Sequence, residues 1–283
     1  MRSLVVGSRG MLGSDLLRAL GEGPDLRGYD IEDLDITDIE QCRKHIRAFR
    51  PDVVLNAAAL TQVDHCESHE QEAFRVNAQG PANLARAAHE AGALLVHFST
   101  DYVFDGRKED PYLEDDPTGP LSVYGKSKLE GENLVRFGCE EHVIIRTSWL
   151  FGDNGTNFIR TILKAAQAGR DLRVVHDQRG SPTYTRDLAT HTIKLLSVGC
   201  RGTYHVTNSG ACTWFELARF SLRCAGITGI AVTPVTTAEF PRPAARPANS
   251  VLANARLSRE GLPPMRHWTE AVKEYISRLT IDD

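Results

Sequence analysis

The sequence predicts an α/β fold, in which a doubly wound parallel sheet of the Rossmann type is followed by a smaller carboxyl-terminal lobe. Three observations predict this class. Short apolar runs alternate with amphipathic stretches in the first half of the chain, glycines follow the first apolar run directly, and the alternation loosens after about Leu150. Strands separated by helical segments of this length are typical of parallel βαβ crossovers.

The elements of the first half follow from their local patterns. Apolar runs predict buried strands, because the strands of a parallel sheet are covered on both faces. These strands are predicted at residues 3–6, 25–30, 53–56, 94–99 and 143–146. Amphipathic stretches between them predict a helix ending near Leu20, one from Asp38 to Phe49, one from about Glu70 to Gly92, and one containing Tyr124.

The second half has a less regular spacing of elements. Helices are predicted at residues 157–168, 186–196, 213–224 and 268–279, and strands at residues 172–175 and 203–206. The prolines of residues 241–247 predict a loop, because proline has no N–H to donate to regular structure.

Composition and charge argue against several classes of partner. The 283-residue chain is 41% hydrophobic and 25% charged, and its formal net charge of -4 provides no basic field for nucleic acid or an anionic membrane. No apolar run approaches the length of a membrane span, and the first predicted strand leaves no room for a signal peptide. The six cysteines form no C-x-x-C motif, so we expect free thiols and a cytoplasmic protein.

Gly7, Gly10 and Gly13 follow the first predicted strand and open the first helix. Glycines there allow a tight turn, a close approach of pyrophosphate and close packing of helix on strand, while the helix amino terminus offers N–H groups to phosphate. This position predicts a dinucleotide cofactor. We expect residues 1–150 to form the dinucleotide-binding Rossmann domain and residues 151–283 to form mostly a substrate-binding lobe, with some elements returning to the sheet.

Two residues bear on the choice of nicotinamide cofactor. Asp30 ends the second predicted strand, where a carboxylate accepts hydrogen bonds from the adenosine ribose and repels a 2′-phosphate, although a solvated strand end is the alternative. Arg9, inside the glycine loop, favours the phosphorylated cofactor. The sequence therefore predicts NADPH or NADH and leaves the choice open.

Ala57, Ala58 and Ala59 follow the third predicted strand. Small residues at this position permit contact between the backbone and a flat cofactor. Composition alone does not separate this interpretation from the start of an ordinary helix or loop.

Thr100, Tyr124 and Lys128 form the predicted catalytic group. Tyr124 and Lys128 are four residues apart and share one helix face, and Thr100 lies at the end of the fourth predicted strand, where such sheets bind ligands. We expect the Lys128 ammonium and a cationic nicotinamide to lower the pKa of the phenol and to let Tyr124 donate a proton to a carbonyl oxygen. Thr100 would hydrogen-bond that oxygen, and Lys128 would also bind the nicotinamide ribose. A solvated helix face and a cap are the ordinary alternatives.

Longer strings are more specific than these single residues. They include Ser99-Thr100-Asp101-Tyr102-Val103-Phe104, Tyr124-Gly125-Lys126-Ser127-Lys128, Arg146-Thr147-Ser148-Trp149 and Gly180-Ser181-Pro182-Thr183. With them, over nearly its whole length, the chain resembles the extended short-chain dehydrogenase/reductases, and more closely the dTDP-4-dehydrorhamnose reductases.

The resemblance implies the last step of dTDP-L-rhamnose synthesis, in which NAD(P)H reduces the C4 ketone of dTDP-4-dehydro-β-L-rhamnose. It implies Tyr124 as the proton donor, Thr100 and Asp101 at the sugar ring, and Trp149 as a wall of the sugar pocket, although Trp149 could also be an ordinary core aromatic. The glycine loop and the resemblance together give the expected cofactor contacts, which are Gly7, Arg9, Gly10, Met11, Leu12, Gly13, Asp30, Asp35, Ile36, Ala57, Ala58, Ala59, Leu60, Thr61, Phe98, Tyr124 and Lys128.

The proline-rich loop contains the remaining candidates for substrate binding. Arg242, Arg246 and Asn249 lie where a pyrophosphate or thymine could bind, and guanidinium groups suit phosphate oxygens, although a solvated basic loop is the alternative. We predict Arg242 as a substrate contact. Some members of the family hold magnesium at a dimer contact, and Asp15 is a candidate counterpart to one ligand. The set is incomplete, so no metal is predicted, and the expected partners are a nucleotide sugar and a second copy in a homodimer.

Two other interpretations remain open. A nucleotide-sugar 4,6-dehydratase or 4-epimerase would have the same fold, but dehydratases usually place a glutamate base after the Thr-Asp pair, whereas Tyr102 follows Asp101 here. A non-catalytic subunit resembling the regulatory β subunit of methionine adenosyltransferase could keep the catalytic residues. NAD(P)H consumption with a keto-sugar nucleotide and no added partner separates these interpretations.

Overall fold

Six parallel strands form the central sheet of the computed structural model, which describes residues 1–279. The strands of the chain are β1 (Ser3–Val6), β2 (Leu26–Tyr29), β3 (Val53–Asn56), β4 (Leu94–Thr100), β5 (His142–Thr147), β6 (Leu150–Phe151), β7 (Leu172–Val175), β8 (Arg179–Gly180), β9 (Thr183–Tyr184), β10 (Gly202–His205), β11 (Cys212–Thr213) and β12 (Val232–Val235). The sheet has the order β10-β5-β4-β3-β1-β2, and each neighbouring pair is parallel. The predicted α/β fold class is confirmed.

Helices cover the sheet and build most of the second lobe. They are α1 (Met11–Leu20), α2 (Ile39–Phe49), α3 (Val63–Ser68), α4 (Glu70–Phe74), α5 (Gly80–Ala91), α6 (Val123–Gly138), α7 (Phe158–Gln167), α8 (Thr185–Ser197), α9 (Trp214–Cys224), α10 (Ala255–Arg259) and α11 (Trp268–Arg278). A π-helical segment, Arg75–Gln79, joins α4 to α5, and a 3-10 turn, Asp101–Val103, follows β4. Asp38 caps α2 as predicted, because its carboxylate accepts from the Glu40 and Gln41 amides.

The sheet changes its direction of growth between β1 and β3. The unit β1–α1–β2 builds one edge, and α2 then leads back to β3 on the other side of β1, from which β4 and β5 continue outward. Connections that diverge in this way leave a crevice at the carboxyl ends of the two central strands, and ligands of doubly wound sheets bind there.

Apolar clusters fill both faces of the sheet and the second lobe. Val5 and Leu55 point to the face covered by α1 and α8, whereas Leu4 and Val54 point to the face covered by α2 and α5. A third cluster holds α7, α9 and α11 together around the fully buried Tyr184 and other aromatic residues. These clusters fix the strand ends that carry the site.

Part of the second half returns to the sheet. The strand β10 pairs with β5, and α8 packs against α1. The division of the chain at residue 150 stays a prediction, and residues 280–283 of the predicted second lobe lie outside the described residues. Within residues 1–279, no helix has both the length and the apolar character that crossing a membrane requires.

Candidate active site

A cleft of about 300 Å³ lies where the chain leaves the carboxyl ends of β1, β2 and β3. The glycine loop, the segment after β2 and the alanines after β3 form its walls. Its lining residues are Val6, Gly7, Gly10, Asp30, Ile31, Leu34, Asp35, Ile36, Thr37, Ala57, Ala58, Ala59 and Val76. Eight of the predicted cofactor contacts are therefore together in one cleft at the expected edge of the sheet.

The glycine loop has the close backbone approaches that a dinucleotide site needs. Gly7 has a φ of +76°, and a Cβ there would lie 2.7 Å from the Ala58 amide nitrogen. A Cβ at Gly13 would lie 2.0 Å from the Gly7 carbonyl oxygen, so only glycine lets α1 pack this closely on the loop. The helix α1 begins without a side-chain cap, so no N-cap side chain competes for its first amides. These residues fit a nicotinamide dinucleotide.

Asp30 and Arg9 contact each other through the Arg9 backbone. The Arg9 amide donates to Asp30 Oδ2 over 2.9 Å, while the Arg9 guanidinium pairs with the exposed Glu32 at 2.9 Å and with Asp33 at 3.4 Å. The arginine that would favour a 2′-phosphate is thus surrounded by carboxylates. The choice between NADH and NADPH stays open.

The remaining predicted cofactor contacts are not among the residues that line this cleft. Leu12 and Gly13 are buried where α1 packs on the sheet and the loop, and the Phe98 side chain belongs to the core. Sequence reasoning also missed five of the lining residues. Val6 was assigned only to the sheet, the segment after β2 has no periodic pattern, and Val76 lies in an irregular helical segment. The missed residues are Val6, Ile31, Leu34, Thr37 and Val76.

Thr100 and Asp101 stand at the carboxyl end of β4. The Thr100 hydroxyl donates to Asp101 Oδ1 over 3.0 Å and accepts from the Tyr102 amide over 3.2 Å. Asp101 is 2% exposed, and its Oδ2 has no hydrogen-bond partner in the described part of the chain. Burial raises the pKa of Asp101 to about 7, although the Ser250 and Thr100 hydroxyls act to lower it.

Tyr124 lies in the first turn of α6, facing the same strand end. Ser122 caps this helix by accepting from the Gly125 amide over 3.1 Å. A Cβ at Gly125 would lie 2.3 Å from the Tyr102 carbonyl oxygen, so glycine allows the first turn of α6 to contact the segment after β4. The ring of Tyr124 also meets the ring of Tyr102 edge-on, with centroids 5.9 Å apart.

The pKa of Tyr124 is raised above its usual value, which corrects the expectation that Lys128 lowers it. Burial is the main cause, and the nearby Asp101 carboxyl adds to it, while the Thr100 hydroxyl acts in the opposite direction. The Lys128 ammonium donates to the Phe98 carbonyl oxygen over 2.6 Å. The Tyr124 phenol therefore keeps its proton at neutral pH, which is the state that a proton donor requires.

Lys128 is buried between α6 and β4 and is 2% exposed. Burial lowers the pKa of its ammonium to about 8, and the charge of Glu132, one helical turn further along α6, acts to raise it. The lysine is thus positively charged at neutral pH and fixed to the backbone of β4.

A buried ion pair beneath Lys128 was not found from the sequence. Glu132 is fully buried and accepts from Ser99 over 2.6 Å, from Arg136 over 2.7 Å, and from two nitrogens of Arg146 over 2.8 and 2.9 Å. Burial acts to raise the pKa of Glu132, but the hydrogen bonds and charges of these partners hold it below its usual value. The motif Arg146-Thr147-Ser148-Trp149 was identified in the sequence, but nothing in it indicated that Arg146 pairs with Glu132 of α6.

A larger cleft of about 580 Å³ lies in the second lobe, bounded by α7, β7, α9 and the loop after β12. It combines three guanidinium groups with aromatic side chains, a set suited to a phosphorylated ring compound. Its lining residues are Phe158, Thr161, Ile162, Arg173, Val174, Val175, Gln178, Trp214, Thr237, Phe240, Pro241, Arg242, Ala244, Ala245 and Arg246. Arg242 and Arg246 are thus in the cleft, whereas Asn249 donates to the Lys108 carbonyl over 2.7 Å and anchors the loop.

Trp149 lies behind this cleft. Its ring stacks on Trp214 with centroids 3.5 Å apart and planes within 6°, and its φ of +48° is in the left-handed region. A Cβ at Gly180 would lie 2.3 Å from the Trp149 ring, so the glycine provides the space for the stack. Trp149 is not among the residues that line the cleft, and its contact with a sugar stays a prediction.

The surroundings of Asp15 do not fit a magnesium ion. Its buried carboxylate accepts from the Thr185 hydroxyl over 2.6 Å and pairs with Arg18, and Arg186 lies 3.7 Å away. Guanidinium groups thus occupy positions that a cation would need. Across residues 1–279, no group of three or more His, Cys, Asp or Glu residues is arranged to hold a metal.

Several known proteins resemble the chain over nearly its whole length. Residues 1–281 match the family described as the RmlD substrate binding domain. The chain is 44% identical over 278 residues to the spore coat polysaccharide biosynthesis protein SpsK of Bacillus subtilis, covering 96% of both chains. It is 41% identical over 280 residues to a dTDP-4-dehydrorhamnose reductase of Streptomyces griseus, covering 96% of this chain and 92% of the relative.

Solved structures give the same result. A crystal structure of a dTDP-4-dehydrorhamnose reductase from Clostridium acetobutylicum matches with a TM-score of 0.95 and 44% identity, covering 98% of this chain and 99% of that one. The corresponding reductase from Bacillus anthracis, in complex with NADP, matches with a TM-score of 0.94 and 37% identity over the same shares.

Proposed function

The chain belongs to the RmlD substrate-binding-domain family, and we propose that it reduces the C4 ketone of dTDP-4-dehydro-β-L-rhamnose to dTDP-L-rhamnose. It is an NAD(P)H-dependent oxidoreductase, and the similar proteins named dTDP-4-dehydrorhamnose reductases support this substrate. The observation on which the proposal rests is that the Thr100 hydroxyl lies beside the Tyr124 phenol at the carboxyl end of β4, while the Lys128 ammonium is bonded to Phe98 of the same strand.

Tyr124 is the proposed proton donor. Reduction adds a hydride to the carbonyl carbon and a proton to its oxygen, so the ketone becomes a secondary alcohol. A bound NADPH or NADH supplies the hydride. The raised pKa of Tyr124 keeps the phenol neutral until negative charge develops on the substrate oxygen, and its proton then passes to that oxygen.

Thr100 and Lys128 are the proposed partners of Tyr124. The Thr100 hydroxyl lies beside the phenol and stabilises the developing charge on the same oxygen by a hydrogen bond. Lys128 retains its charge at neutral pH and is the proposed contact of the nicotinamide ribose. Its bond to the Phe98 carbonyl holds the ammonium against β4.

The second cleft is the proposed site of the nucleotide diphosphate. Arg242 and Arg246 supply charge for the phosphate oxygens, and Trp214 and Phe240 supply apolar faces for the base or sugar. Arg246 lies close enough to Tyr102 to influence that residue's pKa, and the Tyr102 ring contacts Tyr124. A substrate with its diphosphate at the arginines would therefore extend toward the catalytic tyrosine.

A panel of 4-keto sugar nucleotides tests the proposal. Each is assayed with NADPH and with NADH, without any added protein, and the configuration of the product at C4 is determined. Turnover of dTDP-4-dehydro-β-L-rhamnose to the L-rhamnose product supports the assignment. Preferred turnover of another keto sugar would reassign the substrate, and absence of NAD(P)H consumption would favour a non-catalytic subunit.

Assembly and location belong to the proposal as well. We expect a homodimer in the cytoplasm that binds neither nucleic acid nor membrane. The net charge of -4 supports the absence of nucleic acid and anionic membrane among its partners. Light scattering of the purified protein measures its mass in solution.

A further inference from the structure

We propose that Asp64 is a positioning residue for substrate, which holds Arg246 and the proline-rich loop in place to receive the diphosphate. This inference rests on the proposed function, because it assigns a role to the arginines of the second cleft. Asp64 lies in the first turn of α3, on the Rossmann side of the molecule, whereas its partners lie about 180 residues further along the chain.

One carboxylate joins the two sides through a backbone hydrogen bond and two ion pairs. Asp64 Oδ1 accepts from the Ala244 amide over 3.2 Å and lies 3.0 Å from Nη1 of Arg246. Asp64 Oδ2 lies 3.8 Å from Nη1 of Arg242. Both arginines and Ala244 line the large cleft, so Asp64 fixes the backbone and the charged side chains of one cleft wall at the same time.

The contact leaves most of the Arg246 guanidinium available. A guanidinium has five N–H donors, and Arg246 uses Nη1 for Asp64 and for the Ala244 carbonyl, which it contacts over 2.9 Å. Its other nitrogens can bind a diphosphate. Asp64 and the substrate can therefore bind to different edges of the planar Arg246 guanidinium, and Asp64 fixes the orientation in which the guanidinium meets the substrate.

Burial makes this pair more than a surface contact. The Arg246 side chain is 19% exposed and that of Asp64 is 30% exposed, and the pKa of Asp64 is lowered because Arg246, the Ala244 amide and Arg242 together outweigh its desolvation. The prolines at 241, 243 and 247 limit the conformations of the loop. A stiff loop fixed at one carboxylate costs less entropy when the ligand binds.

The position of Asp64 also connects the two ligands. Its helix α3 follows directly on the segment after β3, whose alanines line the dinucleotide cleft. On its other side the Asp64–Arg246 pair acts on the pKa of Tyr102, whose ring contacts Tyr124. Movement of Asp64 would thus displace the arginines relative to the reacting end of the substrate.

The test measures binding of dTDP and of NADPH by calorimetry to the full-length protein and four variants. These are D64A, D64N, R246A and the double variant D64A/R246A. We expect D64A to weaken dTDP binding roughly 10- to 100-fold and D64N less, because the amide oxygen still accepts from Ala244 and Arg246. NADPH affinity should stay within about twofold in all of them. The matched control D25A removes an exposed partner of Arg2 and should change neither affinity.

The double variant separates positioning from general damage. If Asp64 acts through Arg246, then D64A/R246A should bind dTDP about as weakly as R246A alone, because the coupled residues are non-additive. In turnover, D64A should raise KM for the keto-sugar nucleotide and change kcat less than about threefold.

Three results would overturn the inference. They are unchanged dTDP affinity in D64A, tighter dTDP binding in D64N, and a double variant whose loss of dTDP affinity equals the sum of the losses in D64A and R246A. Wild-type protein that binds NADPH but not dTDP would instead refute the proposed function, and the inference would fall with it.

Discussion

The Thr100 hydroxyl lies 3.0 Å from Asp101 Oδ1, so the single proton of this threonine has two competing acceptors once a ketone is bound. An ionised Asp101 accepts the proton and leaves none for the substrate oxygen. A protonated Asp101 donates to Thr100 instead, and the Thr100 proton is then free for the substrate. Because burial raises the pKa of Asp101 to about 7, the two states exchange near neutral pH.

This relationship predicts a decline of kcat/KM as pH rises through about 7, since Asp101 loses its proton there. Loss of one hydrogen bond to a charged oxygen corresponds to roughly a 10- to 100-fold decline. The amide N–H of Asp101→Asn donates to Thr100 at every pH, so this variant should not show the decline near pH 7. It should retain only the decline at higher pH that follows deprotonation of Lys128, whose pKa is about 8. The pH profiles of the two proteins provide the measurement, and a variant that still declines near pH 7 would exclude Asp101 as the cause.

Tyr124→Phe tests the proton donor. We expect turnover to fall by about two to four orders of magnitude, because the positioned acid is absent, while NADPH affinity stays close to wild type. Tyr102→Phe is the matched control, since its ring contacts Tyr124 edge-on but it is given no part in proton transfer. Steady-state assays and cofactor titrations measure both. Near-normal turnover of the Tyr124→Phe variant would refute the assigned role.

Local patterns predicted the central sheet, and they indicated Thr100, Tyr124 and Lys128 as candidates whose catalytic roles stay predictions. The glycine loop and Thr100 lie at strand ends, and Tyr124 lies in the first turn of a helix with Lys128 one turn further along. Strand and helix periodicity places such ends along the chain without knowledge of distant contacts. The helices near residues 157–168 and 186–196 were also found, as α7 and α8.

Features defined by distant pairing were not predicted. The two-residue strands β8 and β11 exist because they pair with each other, and no pattern of two residues indicates a strand. Asp64 was missed for the same reason, because its partners are remote in the sequence. The direction of the Tyr124 pKa was wrong because the degree of burial, which decides it, is a property of the folded packing.

Gly13→Ala and Gly10→Ala should separate packing from ligand binding. A Cβ at Gly13 would lie 2.0 Å from the Gly7 carbonyl oxygen, whereas a Cβ at Gly10 would lie 3.2 Å from it. We expect Gly13→Ala to lower the free energy of unfolding by about 1–3 kcal/mol, as overpacking does, and to weaken NADPH binding. Gly10→Ala should weaken NADPH binding with a much smaller loss of stability. Equal losses of unfolding free energy in Gly13→Ala and Gly10→Ala, measured by urea unfolding, would contradict the assignment of packing to Gly13 and ligand binding to Gly10.

Asp30→Asn should shift cofactor preference toward NADPH. The asparagine oxygen still accepts from the Arg9 amide and only the local bond from the Ile31 amide is lost, while the negative charge at this side of the cleft is removed. We expect the ratio of kcat/KM for NADPH to that for NADH to rise roughly three- to tenfold, the size of one partly screened charge interaction. Glu22→Gln, a change of charge elsewhere on the surface, is the control and should leave the ratio unchanged.

Glu132→Gln should destabilise the fold and lower the alkaline limit of activity together. The substitution leaves the buried Arg146 without its carboxylate, and breaking a buried pair costs about 3–5 kcal/mol. The pKa of Glu132 is held below its usual value in the folded protein, so its contribution is present at neutral pH and is lost as pH falls through that pKa. The difference in unfolding free energy between wild type and variant should therefore shrink in acid.

Because Glu132 also raises the pKa of Lys128, the variant should lose activity at a lower pH than the wild type. Glu90→Gln removes a carboxylate from a solvent-screened group of arginines, so it should change stability far less and leave the pH profile intact. A Glu132 variant as stable as the Glu90 variant would show that the buried pair contributes little to the fold.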